Sequence, residues 1–216
     1  MEALVNKFGK YLDVNKIKYR EKISRELKIN SDKTYLYTKN ALYEEKLKIE
    51  NCNFYSNIRN SIVIRKIFAS DSNIYIKTKS NSFILIDEIF SIGNINYFLY
   101  GKAKEGYIYL KLTPNSNSYI NSNMKLFVTK KLVSIGNIEI KEESINSIAN
   151  LHKVFYLKDN SILVSIPIIN VENDSSKAFH SSKIIRLDYD QKFFLMSKGL
   201  NEKNIENLIL KYFDSI

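Results

Sequence analysis

Apolar residues in this chain recur mostly in short runs with a two-residue period, the pattern of strands that bury one face. Ile74 and Ile76 alternate with Tyr75, Lys77 and Lys79; Ile108, Leu110 and Leu112 alternate with Tyr107, Tyr109 and Lys111. Successive strand side chains point to opposite faces, so each segment sets aliphatic groups on one side and Tyr with Lys on the other. The alternation predicts strands at Ser61–Phe68, Asn73–Lys79, Phe83–Phe90, Ile95–Tyr100, Tyr107–Leu112, Lys125–Val133 and Ile138–Lys141. It predicts others at Lys153–Leu157, Ile162–Ile169, Ile184–Tyr189 and Lys192–Met196, and a short one over Thr34–Thr38. Asp71-Ser72, Ser80-Asn81-Ser82, Gly93-Asn94, Glu105-Gly106, Pro114–Ser118, Gly136-Asn137 and Asp159-Asn160 lie between them. These are residue types that accept the backbone of tight turns. Pro167 lacks a ladder N–H, so its strand is an edge or ends there.

Helical periods occur at the two ends. Val5, Phe8 and Leu12 predict a short helix, and Val14–Lys28, with Ile17, Ile23 and Leu27 among many charges, suits an exposed one. Near the C-terminus, Asn201 can cap a helix that places Ile205, Leu208, Ile209, Tyr212, Phe213 and Ile216 on one stripe. Strands and turns at a spacing of roughly 8–12 residues point to a small barrel or sandwich of short antiparallel strands. The expected fold is thus mainly β with an N-terminal helical segment and a C-terminal amphipathic helix, α+β by count. Residues 1–50 form the helical, basic segment packed on the body, and 51–216 the β-rich domain with its helix at 201–216. No internal repeat is visible.

Composition narrows this further. With 216 residues, 44% of them hydrophobic and 12% aromatic, the chain can fill one core and is not a disordered sequence. Six Gly and two Pro leave no linker-like stretch. Cys52 is the single cysteine, and His152 and His180 are distant, so neither an internal disulfide nor a zinc framework can be written. No apolar run reaches the length of a signal peptide or a membrane span. The expectation is an intracellular protein, cytoplasmic or nuclear, with no membrane partner.

Charge adds a candidate partner. The 33 Lys and Arg exceed the 23 Asp and Glu for a net +10, which favours polyanions such as nucleic acid. An AT-rich coding sequence also writes Lys, Asn, Ile and Tyr, so the charge alone identifies nothing. The sharper signal is the pair of faces Tyr75, Lys77, Lys79 and Tyr107, Tyr109, Lys111, widened by Arg65 and Lys66: rings stack on bases and ammonium groups neutralise phosphate. The plain alternative is that Tyr forms strands well and Lys faces solvent well. A second expectation is a protein partner, or a second copy, on the C-terminal helix stripe. A third is a metal-dependent nuclease built from Asp87, Glu139 and Lys141. No nucleophile elbow, Walker loop or dinucleotide fingerprint is present, and the serines around His180 are turn residues. No catalytic residue, metal ligand or cofactor is therefore predicted, and the balance tilts away from an enzyme.

Two stretches carry a family resemblance. They are IFASDSNIYIKTKSNSFILIDEIFSIGNINYFLYGK (67–102) and KLFVTKKLVSIGNIEIKEESINSIANLHKVFYLKDNSILVSIPIIN (125–170), and the features that carry it are Asp71-Ser72 before a strand, Ile89-Phe90 ending the next, and a strand pair around Asp159-Asn160. Over about residues 54–170 the chain resembles the β-rich C-terminal module of proteins encoded by invertebrate transposable elements, itself similar to small barrels of the bromo-adjacent homology kind. The resemblance implies a nuclear binding or assembly module of a mobile element.

Overall fold

A computed structural model describes residues 19–37 and 40–214. The strands are β1 (Glu21–Ile29), β2 (Lys33–Tyr37), β3 (Ala41–Glu50), β4 (Asn53–Ile58), β5 (Ile62–Pro114), β6 (Tyr119–Ile140), β7 (Ile148–Leu157), β8 (Ile162–Val171) and β9 (Lys177–Ile185). Two helices follow, α1 (Tyr189–Ser197) and α2 (Glu202–Asp214).

All the strand pairs are parallel. Glu21 lies opposite Ala41 and Leu42 opposite Ile62, a step of 20 residues. The step is 25 residues from Asn94 to Tyr119, 29 from Tyr119 to Ile148 and 31 from Lys131 to Ile162. One step is one turn of a β-solenoid, in which each coil contributes a strand to each of two parallel ladders. The first ladder runs through β1, β3, the start and the end of β5, the later part of β6 and β8. The second runs through β2, β4, the middle of β5, the start of β6, β7 and β9. Long β5 and β6 run through several corners, and their mutual register shifts at one of them, between Ala103 and Glu105.

The expected antiparallel barrel is thereby corrected to a parallel solenoid. Alternation is the same in both arrangements; only the partner differs. The inward sets read from alternation are the buried ones: Ile74, Ile76, Ile108, Leu110 and Leu112 are fully buried. The corners explain how so few glycines suffice. Asn51, Asp71, Gly93, Asn117 and Asn146 all have positive φ at the corner leaving the first ladder, and Asn40 and Asn60 at the corner leaving the second. Asn and Asp enter this left-handed region more readily than other side-chain-bearing residues. At Gly93 there is also no room, since a Cβ would lie 2.2 Å from Asp71 Oδ1. A repeat is therefore present, written in backbone conformation rather than in residue identity.

Other expectations change at the ends. The described part of Val14–Lys28 is strand β1, not helix, while Val5, Phe8 and Leu12 lie outside the described residues. Lys192–Met196, expected as a strand, belongs to α1, whose capping box is Asp188 with Gln191. His180 sits in β9 rather than in a loop. Pro167 lies in β8, which pairs with β6 alone, an edge strand as expected. Asn201 does cap α2, its Oδ1 accepting from Asn204 N at 2.9 Å.

Candidate functional site

The two Tyr-Lys faces fall on different ladders. Tyr75 stacks between Tyr55 and Phe98, with ring centroids 5.0 and 5.1 Å away, and the Lys77 ammonium lies 5.3 Å from the Tyr100 ring centroid. Lys79 is exposed beside them on the outside of the second ladder. Tyr107, Tyr109 and Lys111 line the outside of the first. Both tyrosines are only 6% exposed, and burial pushes the Tyr107 phenol up to about 12. Lys111 pairs with Glu139 at 2.5 Å, and Tyr109 Oη accepts from Asn137 Nδ2 at 3.3 Å. Lys66 is exposed over the rings of Phe68 and Phe90, whereas Arg65 points into the solenoid. These eight residues do not form one basic surface. The nuclease triplet separates as well: Asp87 is buried inside, while Glu139 lies on the outer side of the same ladder and Lys141 is exposed.

The interior holds a charged network instead. Arg65 donates through Nε and Nη2 to Asp87 at 2.7 and 2.6 Å and through Nη1 to Ser56 at 3.1 Å; Tyr97 Oη donates to Asp87 at 2.8 Å. In the coil before it, Arg25 and Tyr37 donate to Glu45 at 2.6 and 2.5 Å. Burial opposes the charge on Arg65, but Asp87 outweighs it and raises the guanidinium above its ordinary value. Burial drives the Tyr37 phenol well above the usual range. Every member has a partner, so this network fixes register and offers nothing to a ligand.

Most of the exposed large apolar groups lie at the other end, in β8, β9 and the helices. β8 and β9 form the last coil; among the described residues they pair only with β6 and β7, and no further strand covers their outer edges. Ile162, Phe179 and Ile184 are 58%, 52% and 57% exposed, with Ile168, Ile169 and Val171 beside them. The helices do not close this end. α2 docks on the solenoid flank through buried Ile205 and through Glu206, which accepts from Lys102 at 3.4 Å and also pairs with Lys158. Ile209 and Leu210 pack on the stacked rings of Phe127 and Tyr156. A cavity of about 40 Å³ remains between them, too small for a substrate. α1 buries no side chain; its Tyr189, Phe193, Phe194 and Met196 are exposed.

Residues 104–213 match the family model described as SUF system FeS cluster assembly, SufBD core domain. The chain belongs to the SufBD core family. The matched segment runs from late β5 through α2, so it contains both the uncovered last coil and the helix pair. Comparison with curated proteins gives no significant match. Membership in the SufBD core family overturns the resemblance to a transposable-element module. With it go the mobile-element, nucleic-acid and nuclease expectations. No helix among the described residues is long and apolar enough to cross a membrane. Among them, too, no three His, Cys, Asp or Glu side chains are placed to hold a metal ion. Cys52 is buried, its Sγ donating to the Ile29 carbonyl at 3.5 Å, and burial raises its thiol above the ordinary value. The exposed isoleucines of β8 escaped sequence reasoning because an Ile-rich strand looks the same whether its face is covered or open.

Proposed function

We propose that this SufBD core chain works in Fe–S cluster assembly as a docking scaffold, joining another chain through the open end of its solenoid. The uncovered last coil supports this reading. A strand edge with free N–H and C=O groups beside exposed aliphatic side chains is a template for another sheet. The partner is a second solenoid end of the same kind, which continues both ladders and covers Ile168, Ile169, Val171 and Phe179. The cluster is cargo in this scheme. Iron–sulfur clusters are ordinarily held by several thiolates, and the one thiol here is buried and protonated, so the ligands come from elsewhere. A further contact through the C-terminal helices is favoured by the exposed aromatic side chains of α1.

Light scattering on the intact chain, on Ile168→Lys/Phe179→Lys and on a chain ending at Leu200 separates these contacts. The expected result is a dimer that the double substitution converts to monomer and the truncation leaves intact. A chain that is monomeric throughout the micromolar range would sink the end-to-end reading. A dimer lost only on truncation would move the contact to the helices.

A further inference from the structure

Inside this solenoid Arg25 and Arg65 each meet a carboxylate, but Lys153 does not. It points inward from β7, is 1% exposed, and its Nζ has no hydrogen-bond partner among the described residues. The ammonium reaches toward Gly136 on the opposite ladder, where a Cβ would stand 2.9 Å from Nζ and 2.3 Å from Leu151 Cδ2. The missing side chain at 136 is what gives the lysine head its space. One coil nearer the open end, His180 occupies the position in register with Leu151, and its Nε2 is likewise buried and unpartnered. Ser165 Oγ, in register with Ser134 on the first ladder, is a third such group.

What surrounds these atoms is one-sided. Burial alone lowers Lys153, to about 8, with no acid acting on it. His180 is lowered by burial and then by the charges of Lys153 and His152. Three hydrogen-bonding groups without partners among the described residues, two of them able to carry positive charge, lie in the last coil and the one before it. Buried polar groups in folded proteins are satisfied, and a buried charge is normally paired. Methionine would fill the same volume without that cost.

We propose that the interior of the last coils is a binding site for a compact inorganic anion, held by Lys153 with His180 and Ser165 as further donors. The anion supplies the missing counter-charge and restores an ordinary ammonium at Lys153. This inference stands apart from the end-to-end docking of chains and does not depend on it.

The test follows the titration of Lys153 by NMR in the full chain carrying isotopically labelled lysine, with inorganic phosphate and with chloride as probes. A lysine titrating near 8 identifies itself among the others. The expected result is a saturable rise of that midpoint toward the ordinary lysine range, with a saturable rise in Tm that Lys153→Met lacks. A midpoint unmoved by either ion overturns the proposal. So does a midpoint that rises with protein concentration and not with either ion, because the counter-charge then comes from a second chain. The wild-type titration decides between these outcomes even where Lys153→Met fails to fold.

Discussion

Arg65 and Lys153 are both about 1% exposed, yet one lies against a carboxylate and the other against a glycine. Removing Asp87 leaves a buried guanidinium uncompensated, and such losses cost about 3–5 kcal/mol. Asp87→Ala should therefore lower the urea midpoint sharply. Replacing the pair together with Arg65→Met/Asp87→Leu should cost much less, and equal losses would mean the ion pair itself, not its orphaned half, sets the stability. Lys153 makes the opposite prediction. Its folded pKa of about 8 lies below the ordinary 10.5, so between these values the unfolded chain binds a proton that the folded chain does not. Stability then rises with pH across that window. Below about 8 both states are protonated and the penalty, on the order of 3 kcal/mol, is complete. In anion-free buffer Lys153→Met should be more stable than wild type at neutral pH and should lose the alkaline slope; matching slopes in chemical denaturation would refute this.

Among the elements, α2 rests on a small anchor. Ile205 is the one side chain it buries fully among the described residues, and Glu206 between Lys102 and Lys158 is half-exposed. Ile205→Asp should free the helix, seen as faster amide exchange in α2, while β5 to β7 stay protected. Glu206→Gln should do much less, of order 1 kcal/mol or below, because partly exposed ion pairs are weak. If exchange in the ladders rises equally with Ile205→Asp, helix and solenoid unfold as one unit. This helix is also the element most legible in the sequence, because its cap and its period are both local. Strand faces were legible for the same reason: Ile74 and Ile76 turn inward by alternation alone. Pairing was not. The residues that stack from coil to coil differ in identity, Tyr55 on Tyr75 on Phe98 and Asn51 above Asp71 above Gly93, and the coil length drifts. No fixed period therefore survives to be seen. Helix α1 was misread because Phe193, Phe194, Leu195 and Met196 form a short apolar run that suits either state, and only the Asp188–Gln191 box decides it. The candidate site was the least legible part, since exposure and an unmet charge both depend on what lies one coil away.

Across the described residues, each coil meets only its neighbours, and the coils lengthen from the β1 side toward the β9 side. Such an array is nearly one-dimensional, and its stability is close to a sum of coil and interface terms. Loss of the last coil should leave the rest standing. A chain ending after Leu157 is expected to keep a strand-rich circular dichroism spectrum, and global unfolding there would show that the coils fold only together. The lengthening of the coils has a mechanical consequence. Held between two beads and pulled, the chain should come apart in discrete rips, each releasing one coil. At 3.3–3.6 Å per residue, a coil of 20 residues releases roughly 70 Å and one of 29 roughly 100 Å. The size of the first rip would therefore report which end yields to force.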